Sequence, residues 1–296
     1  MRYAALVLLT VCAAAGALAQ DAPDPKKAVL ARINEIRKQL GLPEVEQEDG
    51  LSVGCQKHAD YLARNQGRKE IEGAGMHREE TSLPSYSDEG KQSARQSLVS
   101  YFGKGRRVKD AADGGCEAVD GLAATLYHRL ELLSPRLTTV GIGITTFERG
   151  VRGVVVIDVS RRNLKDPVKI NPVICPGPDQ TGVATLFSLG GGEYPDPRPD
   201  GAGKVGYPIT VVWDTREYRP TDVTATLETE GKKVEFALST PEKPARADKG
   251  QPGVICLLPK EPLKPGAKYS VTVECRNMDA KDGAPWSKTW SFTTSK

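Results

Sequence analysis

The 296-residue chain has only three histidines, His58, His77 and His128, so any imidazole chemistry is confined to those positions. Aromatic residues make up 6% of it. Neither sign of charge dominates, with Lys plus Arg at 41 and Asp plus Glu at 38. The densest basic stretch, Lys104 to Lys109, reads as a solvated loop. A nucleic-acid surface needs a concentrated basic face with aromatics, so that partner is excluded. After Gln20 no apolar segment is long enough to span a bilayer. CxxC is absent, which argues against a zinc ribbon or a thioredoxin-like site. HExxH, GxSxG, a Walker loop and a Cys/His protease signature are absent as well.

What is present begins with an address. Arg2 supplies a positive start and Ala4 to Ala15 a short apolar run. Ala17-Leu18-Ala19 offers small residues for signal peptidase, so residues 1–19 are read as a signal peptide cleaved after Ala19. The alternative is a lipoprotein anchored through Cys12, but Leu9-Thr10-Val11 lacks the small residue expected before an acylated cysteine. The expected product is secreted, extracellular or periplasmic, with no membrane span. Cys55, Cys116, Cys175, Cys256 and Cys275 remain, and in an oxidising compartment disulfides are expected among them.

The first half reads helical. Asp24-Pro25 starts a helix, with Val29, Ile33, Ile36 and Leu40 at helical spacing and Gly41 at its end. A second helix runs from about Leu51 to Asn65, and Gly73 to Ser87 is a loop. Short helices are expected over Gly90–Tyr101 and Cys116–His128. Two strands follow, Val140–Ile144 and Gly153–Val159, joined at Glu148-Arg149-Gly150. Helices followed by an antiparallel pair give an α+β domain over residues 26–162.

From about Asp166 the texture changes to short β-rich runs between Pro and Gly. They are Gly182–Phe187, Ile209–Trp213, Val223–Glu228, Lys233–Leu238, Val254–Leu258, Tyr269–Glu274 and Lys288–Thr293. Seven short strands predict an all-β sandwich over 166–296, with a Gly/Pro-rich loop at 188–206. Leu263-Lys-Pro-Gly-Ala-Lys-Tyr269 has the pattern of a tyrosine corner. With Trp290-Ser-Phe-Thr-Thr294, it resembles bacterial immunoglobulin-like and fibronectin-type-III-like modules.

His128-Arg129, Leu132-Leu133-x-Pro135 and Val140-Gly141-Ile-Gly143 together resemble the bacterial CAP superfamily, which embraces cysteine-rich secretory, antigen-five and pathogenesis-related proteins. Leu30-x-x-Ile-Asn34, Gly41-Leu-Pro43, His58 to Asn65 and Met76-His77-Arg-Glu-Glu80 extend the likeness over about residues 26 to 162. The resemblance implies an α-β-α sandwich with a cleft holding two histidines and two acidic residues. Carried over, His77 and His128 are the histidines. The family's GEN motif is missing, because the region reads Ser93-Ala-Arg-Gln-Ser97. The Trp common before the HR pair is missing too, with Leu122 nearby. The candidate carboxylates are therefore Glu79, Glu80, Glu89, Glu117 and Asp120.

Taken without the resemblance, His58 reads as a structural histidine, His128 as a helix cap and His77 as a surface residue. Two imidazoles with a carboxylate suit zinc or another divalent metal, which makes His77 and His128 candidate metal ligands. The same groups suit acid/base work. Three functions follow: a non-enzymatic binder of a lipid or cell-envelope component, a metal-assisted or His/Glu hydrolase, and a structural adhesion protein. Strand parity with Tyr269, Val271 and Val273 turns Cys275 inward, which pairs it with Cys256 on the preceding strand. Cys55 and Cys116, on apolar helix faces, form a second candidate pair and leave Cys175 alone.

Overall fold

A computed structural model describes residues 24–103, 108–147, 152–166, 172–187, 193–199, 203–216, 218–278 and 283–296. The expected signal segment, the turn at Glu148–Gly150 and most of the basic stretch at 104–109 lie outside the described residues, as do parts of the 188–206 loop.

Helix α1, Pro25–Gln39, starts where Asp24 Oδ1 accepts the Lys26 N–H at 3.0 Å. It ends at Gly41, whose φ of 72° is the left-handed region that glycine enters without strain. Strand β1 is Glu46–Gln47, and α2 is Asp49–Arg64. Two 3-10 turns, Lys69–Ile71 and Gly73–His77, occupy the expected loop. The expected helix over Gly90–Tyr101 is instead α3, Asp88–Ala94, followed by strand β2, Ser97–Phe102. Leu98, Val99, Tyr101 and Phe102 favour a strand. The helix expected over Cys116–His128 divides into α4, Ala111–Ala123, and α5, Tyr127–Leu132. Thr125 marks the break, where its hydroxyl donates to the Leu122 carbonyl at 2.8 Å.

Strands β3, Leu137–Phe147, and β4, Arg152–Arg162, complete a four-stranded sheet in the order β1-β3-β4-β2. Strand β4 is buried on both faces. Val154 and Val156 pack with Cys55, Ala59 and Leu62 of α2, whereas Val155 and Ile157 pack with Val29 and Ile33 of α1 and Val119 of α4. The result is a helix-sheet-helix layering within an α+β unit. The alternation of glycines in β3 lets α2 lie against the strand. A Cβ on Gly143 would come 2.2 Å from the Cys55 backbone, and one on Gly141 would come 2.6 Å from Leu51 Cβ.

The remaining elements are β5 Val173–Cys175, β6 Ile209–Val212, β7 Pro220–Thr229, β8 Lys232–Lys233, β9 Phe236–Ser239, β10 Val254–Pro259, β11 Lys268–Asn277 and β12 Pro285–Thr293. They form two antiparallel four-stranded sheets, β5-β6-β10-β9 and β12-β11-β7-β8. Val211, Ile255 and Leu257 of one sheet share a core with Leu227, Val271 and Phe292 of the other. Gly182–Phe187 makes only isolated bridges rather than the expected strand. The Tyr269 hydroxyl accepts the Lys264 N–H at 2.7 Å, closing the turn between β10 and β11. No helix among the described residues is long and apolar enough to cross a membrane.

The five cysteines among the described residues are separate thiols, which corrects both expected pairs. Cys275 does face the interior with Val271 and Val273. Cys256 alternates with the inward Ile255 and Leu257, so it faces the other side of its sheet and packs with Leu126 of the first unit. The symmetric spacing about the turn concealed this reversal of face. Cys55 and Cys116 lie on helices at opposite faces of the first sheet.

Two measurements check this architecture. Leu133 is only 4% exposed, so Leu133→Ala is expected to cost about 2–5 kcal/mol in urea unfolding, and a change under about 0.5 kcal/mol contradicts its burial. Non-reducing peptide mapping is expected to recover the Cys256 and Cys275 peptides as free thiols; a linked pair overturns the assigned strand faces.

Candidate functional site

Helix α5 starts with backbone N–H groups that have no partner within the helix. Glu193, 65 residues beyond His128, supplies one. Its Oε2 accepts the Leu126 N–H at 2.9 Å and its Oε1 accepts the His128 N–H at 2.7 Å. The carboxylate side chain is fully buried. A negative group at a helix start is favoured by the partial positive charge there. His128 Nδ1 lies 3.0 Å from Thr125 Oγ1 and 3.1 Å from Glu193 Oε1.

Arg129, the other half of the pair, points away from this site into the junction between the two units. Its Nε donates to the Ala123 carbonyl at the end of α4, and its Nη1 donates to the Pro208 carbonyl. Its guanidinium stands 4.4 Å from the centre of the Tyr207 ring. Arg129 therefore binds carbonyls and an aromatic face rather than a ligand.

His77 ends the Gly73–His77 turn. Beside it, the Met76 carbonyl accepts from His58 Nε2 at 2.8 Å. His58 Nδ1 is 2.9 Å from Glu79 Oε1, and Glu79 Oε2 accepts the Ser87 N–H at 3.0 Å. His58 and Glu79 are both buried. They form a bolt that holds the turn and, through it, His77. The structural role expected of His58 is the one its contacts describe.

His77 and His128 line one cavity of about 570 Å³. Its wall also carries Gln66, Glu72, Tyr101, Phe147, Glu193 and Tyr194. Tyr194 is 70% exposed at this site. Burial holds the pKa of His77 below the ordinary histidine value, and the nearby His128 and His58 charges push the same way. The Tyr101 hydroxyl is raised to about 12 by burial. The cavity thus combines neutral imidazole, unionised phenol and one buried carboxylate.

None of the five candidate carboxylates is on this wall. Glu79 belongs to the His58 bolt. Glu80 is exposed. Glu89 is exposed and paired with Lys57 at 2.6 Å, which lowers its pKa through the Lys57 hydrogen bond. Glu117 and Asp120 line a different cavity of about 430 Å³, where Asp120 accepts from Arg32 at 2.7 Å. The carboxylates on the histidine cavity are Glu72 and Glu193. Sequence reasoning missed Glu193 because it lies in the second unit, within a loop read as connection alone. Its only signal is that Glu193-Tyr194 puts an acid and an aromatic into a Gly/Pro stretch. His77 and His128, the expected ligands for zinc or another divalent metal, lie on one cavity wall. No group of three or more His, Cys, Asp and Glu among the described residues has an arrangement that could hold a metal. His77 Nδ1 is engaged with the Ala94 carbonyl at 3.3 Å, and His128 Nδ1 with Thr125.

Comparison with known families matches residues 30–159 to CAP, the cysteine-rich secretory protein family. That segment runs from α1 through most of β4, so the match falls on the first unit. Comparison with curated proteins gives no match. Among solved structures, PcoC, a methionine-rich copper resistance protein from Escherichia coli, aligns at 18% identity and a TM-score of 0.27. The alignment covers 43% of this chain and 100% of that one, and at that score it carries no argument.

The lowered pKa of His77 fixes the sign of a pH effect. The unfolded chain takes up a proton near pH 6.5 before the folded one does. The contribution of neutral His77 is therefore intact above about pH 6.5 and is lost as pH falls below it. In urea unfolding between pH 7.5 and 5.5, His77→Gln is expected to lose less stability than the parent; an equal or steeper loss contradicts the burial of His77.

Proposed function

From a first unit that carries the CAP match, we propose that this is a secreted, non-enzymatic protein. In this reading it binds an extracellular ligand, a lipid or cell-envelope component, in the cavity of His77 and His128. The observation that carries the reading is the state of the hydroxyl nearest the imidazoles. Thr125 Oγ1 lies 2.8 Å from the Leu122 carbonyl and 3.0 Å from His128 Nδ1, so the carbonyl competes with the imidazole for its single hydrogen. A nucleophile activated by a base needs its hydrogen directed at the imidazole. Ser134 and Cys116 are the other nucleophiles near these motifs, and neither lines the cavity. Cys116 is turned to the Ala28 carbonyl, and burial raises its pKa. A metal-assisted route would need a ligand set that the two histidines do not complete.

The size and lining support binding. About 570 Å³ is within the range of small-molecule sites. Aromatic and aliphatic walls with a few oriented polar groups suit an amphiphilic or glycan-bearing component of a cell envelope. The second unit, read as an immunoglobulin-like module, serves as the rigid partner that presents the cavity. The leader-like first residues support a location outside the cytoplasm.

The test is untargeted extraction and elemental analysis of protein purified from its native compartment. A bound organic molecule is expected with the parent. Its recovery should fall by about tenfold or more in the His77→Ala/His128→Ala protein, since two lost hydrogen bonds are worth about 2 kcal/mol. Equal recovery from both proteins removes the cavity from the function. Stoichiometric metal lost with the same two substitutions favours the metal-assisted reading instead.

A further inference from the structure

We propose that the second unit completes the cavity chemically: Glu193 is a positioning residue that holds His128 in its Nδ1–H tautomer, leaving Nε2 as the hydrogen-bond acceptor offered to a ligand.

The argument is a count of hydrogens around one nitrogen. His128 Nδ1 has two neighbours, Thr125 Oγ1 at 3.0 Å and Glu193 Oε1 at 3.1 Å. The threonine hydroxyl alone decides nothing. It can give its hydrogen to the Leu122 carbonyl and accept from Nδ1–H, or rotate and donate to a bare Nδ1. The carboxylate removes the second choice. An imidazole lone pair 3.1 Å from a carboxylate oxygen is repulsive, and the carboxylate is fully buried, with little water to screen it. With Nδ1–H, the hydrogen bond goes to Thr125 Oγ1, and the nearby carboxylate charge favours the hydrogen-bearing nitrogen. The hydroxyl geometry agrees, since Thr125 Oγ1 lies 2.8 Å from the Leu122 carbonyl in a donating position.

Glu193 is itself immobilised for this task. Both oxygens are taken by backbone N–H groups at the start of α5, so the carboxylate cannot turn away from the ring. The second unit is also tied to the first at residues 207 and 208. Arg129, the residue after His128, reaches the Pro208 carbonyl, and the Tyr207 hydroxyl donates to the Ala123 carbonyl at 3.4 Å. Tyr194, next to Glu193, adds an exposed ring to the same wall. His77 follows the same pattern from within the first unit, because its Nδ1 faces the Ala94 carbonyl, which can only accept. Both imidazoles therefore keep Nδ1–H, and both Nε2 atoms are acceptors. A cavity with two such acceptors matches a ligand that brings hydroxyl or amide hydrogens.

This inference takes from the proposed function only that the cavity is the site, and its test needs no ligand. Long-range proton–nitrogen correlation spectra of nitrogen-15-labelled full-length protein, at a pH where the imidazoles are neutral, report which ring nitrogen carries the hydrogen. With three histidines the spectrum is sparse, and His128→Gln identifies the His128 signals. The expected result is a predominant Nδ1–H form of His128 in the parent. Glu193→Gln should raise the Nε2–H fraction at least about threefold, whereas Thr125→Val should leave Nδ1–H predominant. An Nε2–H form in the parent overturns the proposal, as does an unchanged ratio in Glu193→Gln or a switch caused by Thr125→Val. If Glu193→Gln does not fold, the parent and Thr125→Val spectra still decide. Loss of ligand binding with the tautomer intact would count against the binding role and leave this inference standing.

Discussion

The structure depends on the segment from Ala123 to Arg129, where the last turn of α4 gives way to α5. Helix α5 is only six residues long, Tyr127–Leu132, and such a helix has no independent stability. It is fixed from outside at both faces. Glu193 occupies its first N–H groups, and Arg129 binds the carbonyl at the end of α4 and the backbone of the second unit. A buried guanidinium is costly unless its hydrogens find acceptors, and here the acceptors are carbonyls that belong to different units. Separating the units would therefore strand Arg129 and Glu193 together. The adjacent residues His128 and Arg129 divide the labour: one side chain faces the cavity and the other locks the junction that supports it.

A second buried guanidinium steadies the opposite end of the same helix. Arg37 of α1 donates to the carbonyls of Pro43, Leu132, Ser134 and Leu137, and burial lowers its pKa to about 10. These carbonyls terminate α5 and lead into β3, whose glycines then admit α2. The chain of constraint runs from α1 through the Leu132-Leu133-x-Pro135 turn into the sheet. It reaches α2, whose His58 grips Glu79 and the Met76 carbonyl. His77 and His128 are thus set by two separate anchors, each assembled from buried polar groups, although Arg129 Nη2 is buried without a hydrogen-bond partner.

Much of this was legible from the sequence, and the failures have physical reasons. Residues with a period were read well: Val29, Ile33 and Ile36 mark α1, and the β-branched run Gly153–Val159 marks β4. The alternation through Val140–Ile144 marked a strand, but the close approach of α2 to Gly141 and Gly143 was not foreseen. Leu98, Val99 and Phe102 were drawn into a helix because the preceding Gly90 to Ala94 does form one, and composition alone does not show where it stops. His77 and His128 line one cavity, but the carboxylates beside them, Glu72 and Glu193, were not among the candidates. Sequence neighbours such as Glu79 and Glu80 suggested themselves, whereas Glu193 arrives by tertiary contact from a loop without periodicity. Cys256 failed for a related reason. Its parity places it on one of two faces, and only the packing of Leu126 against that sheet decides which face is outward from the sandwich.

The two anchors also fit the proposed binding role. A general base must be free to exchange its hydrogen with a reacting group, and a nucleophile must aim its hydrogen at that base. Around His128 the Leu122 carbonyl competes for the Thr125 hydrogen, and the two α5 N–H groups are committed to Glu193. Burial keeps His77 toward its neutral form, and the phenol of Tyr101 remains unionised up to about pH 12. The wall sets these hydrogen-bonding groups beside the charged Glu72 and Arg152, with its one fully buried carboxylate spent on holding a helix and a ring.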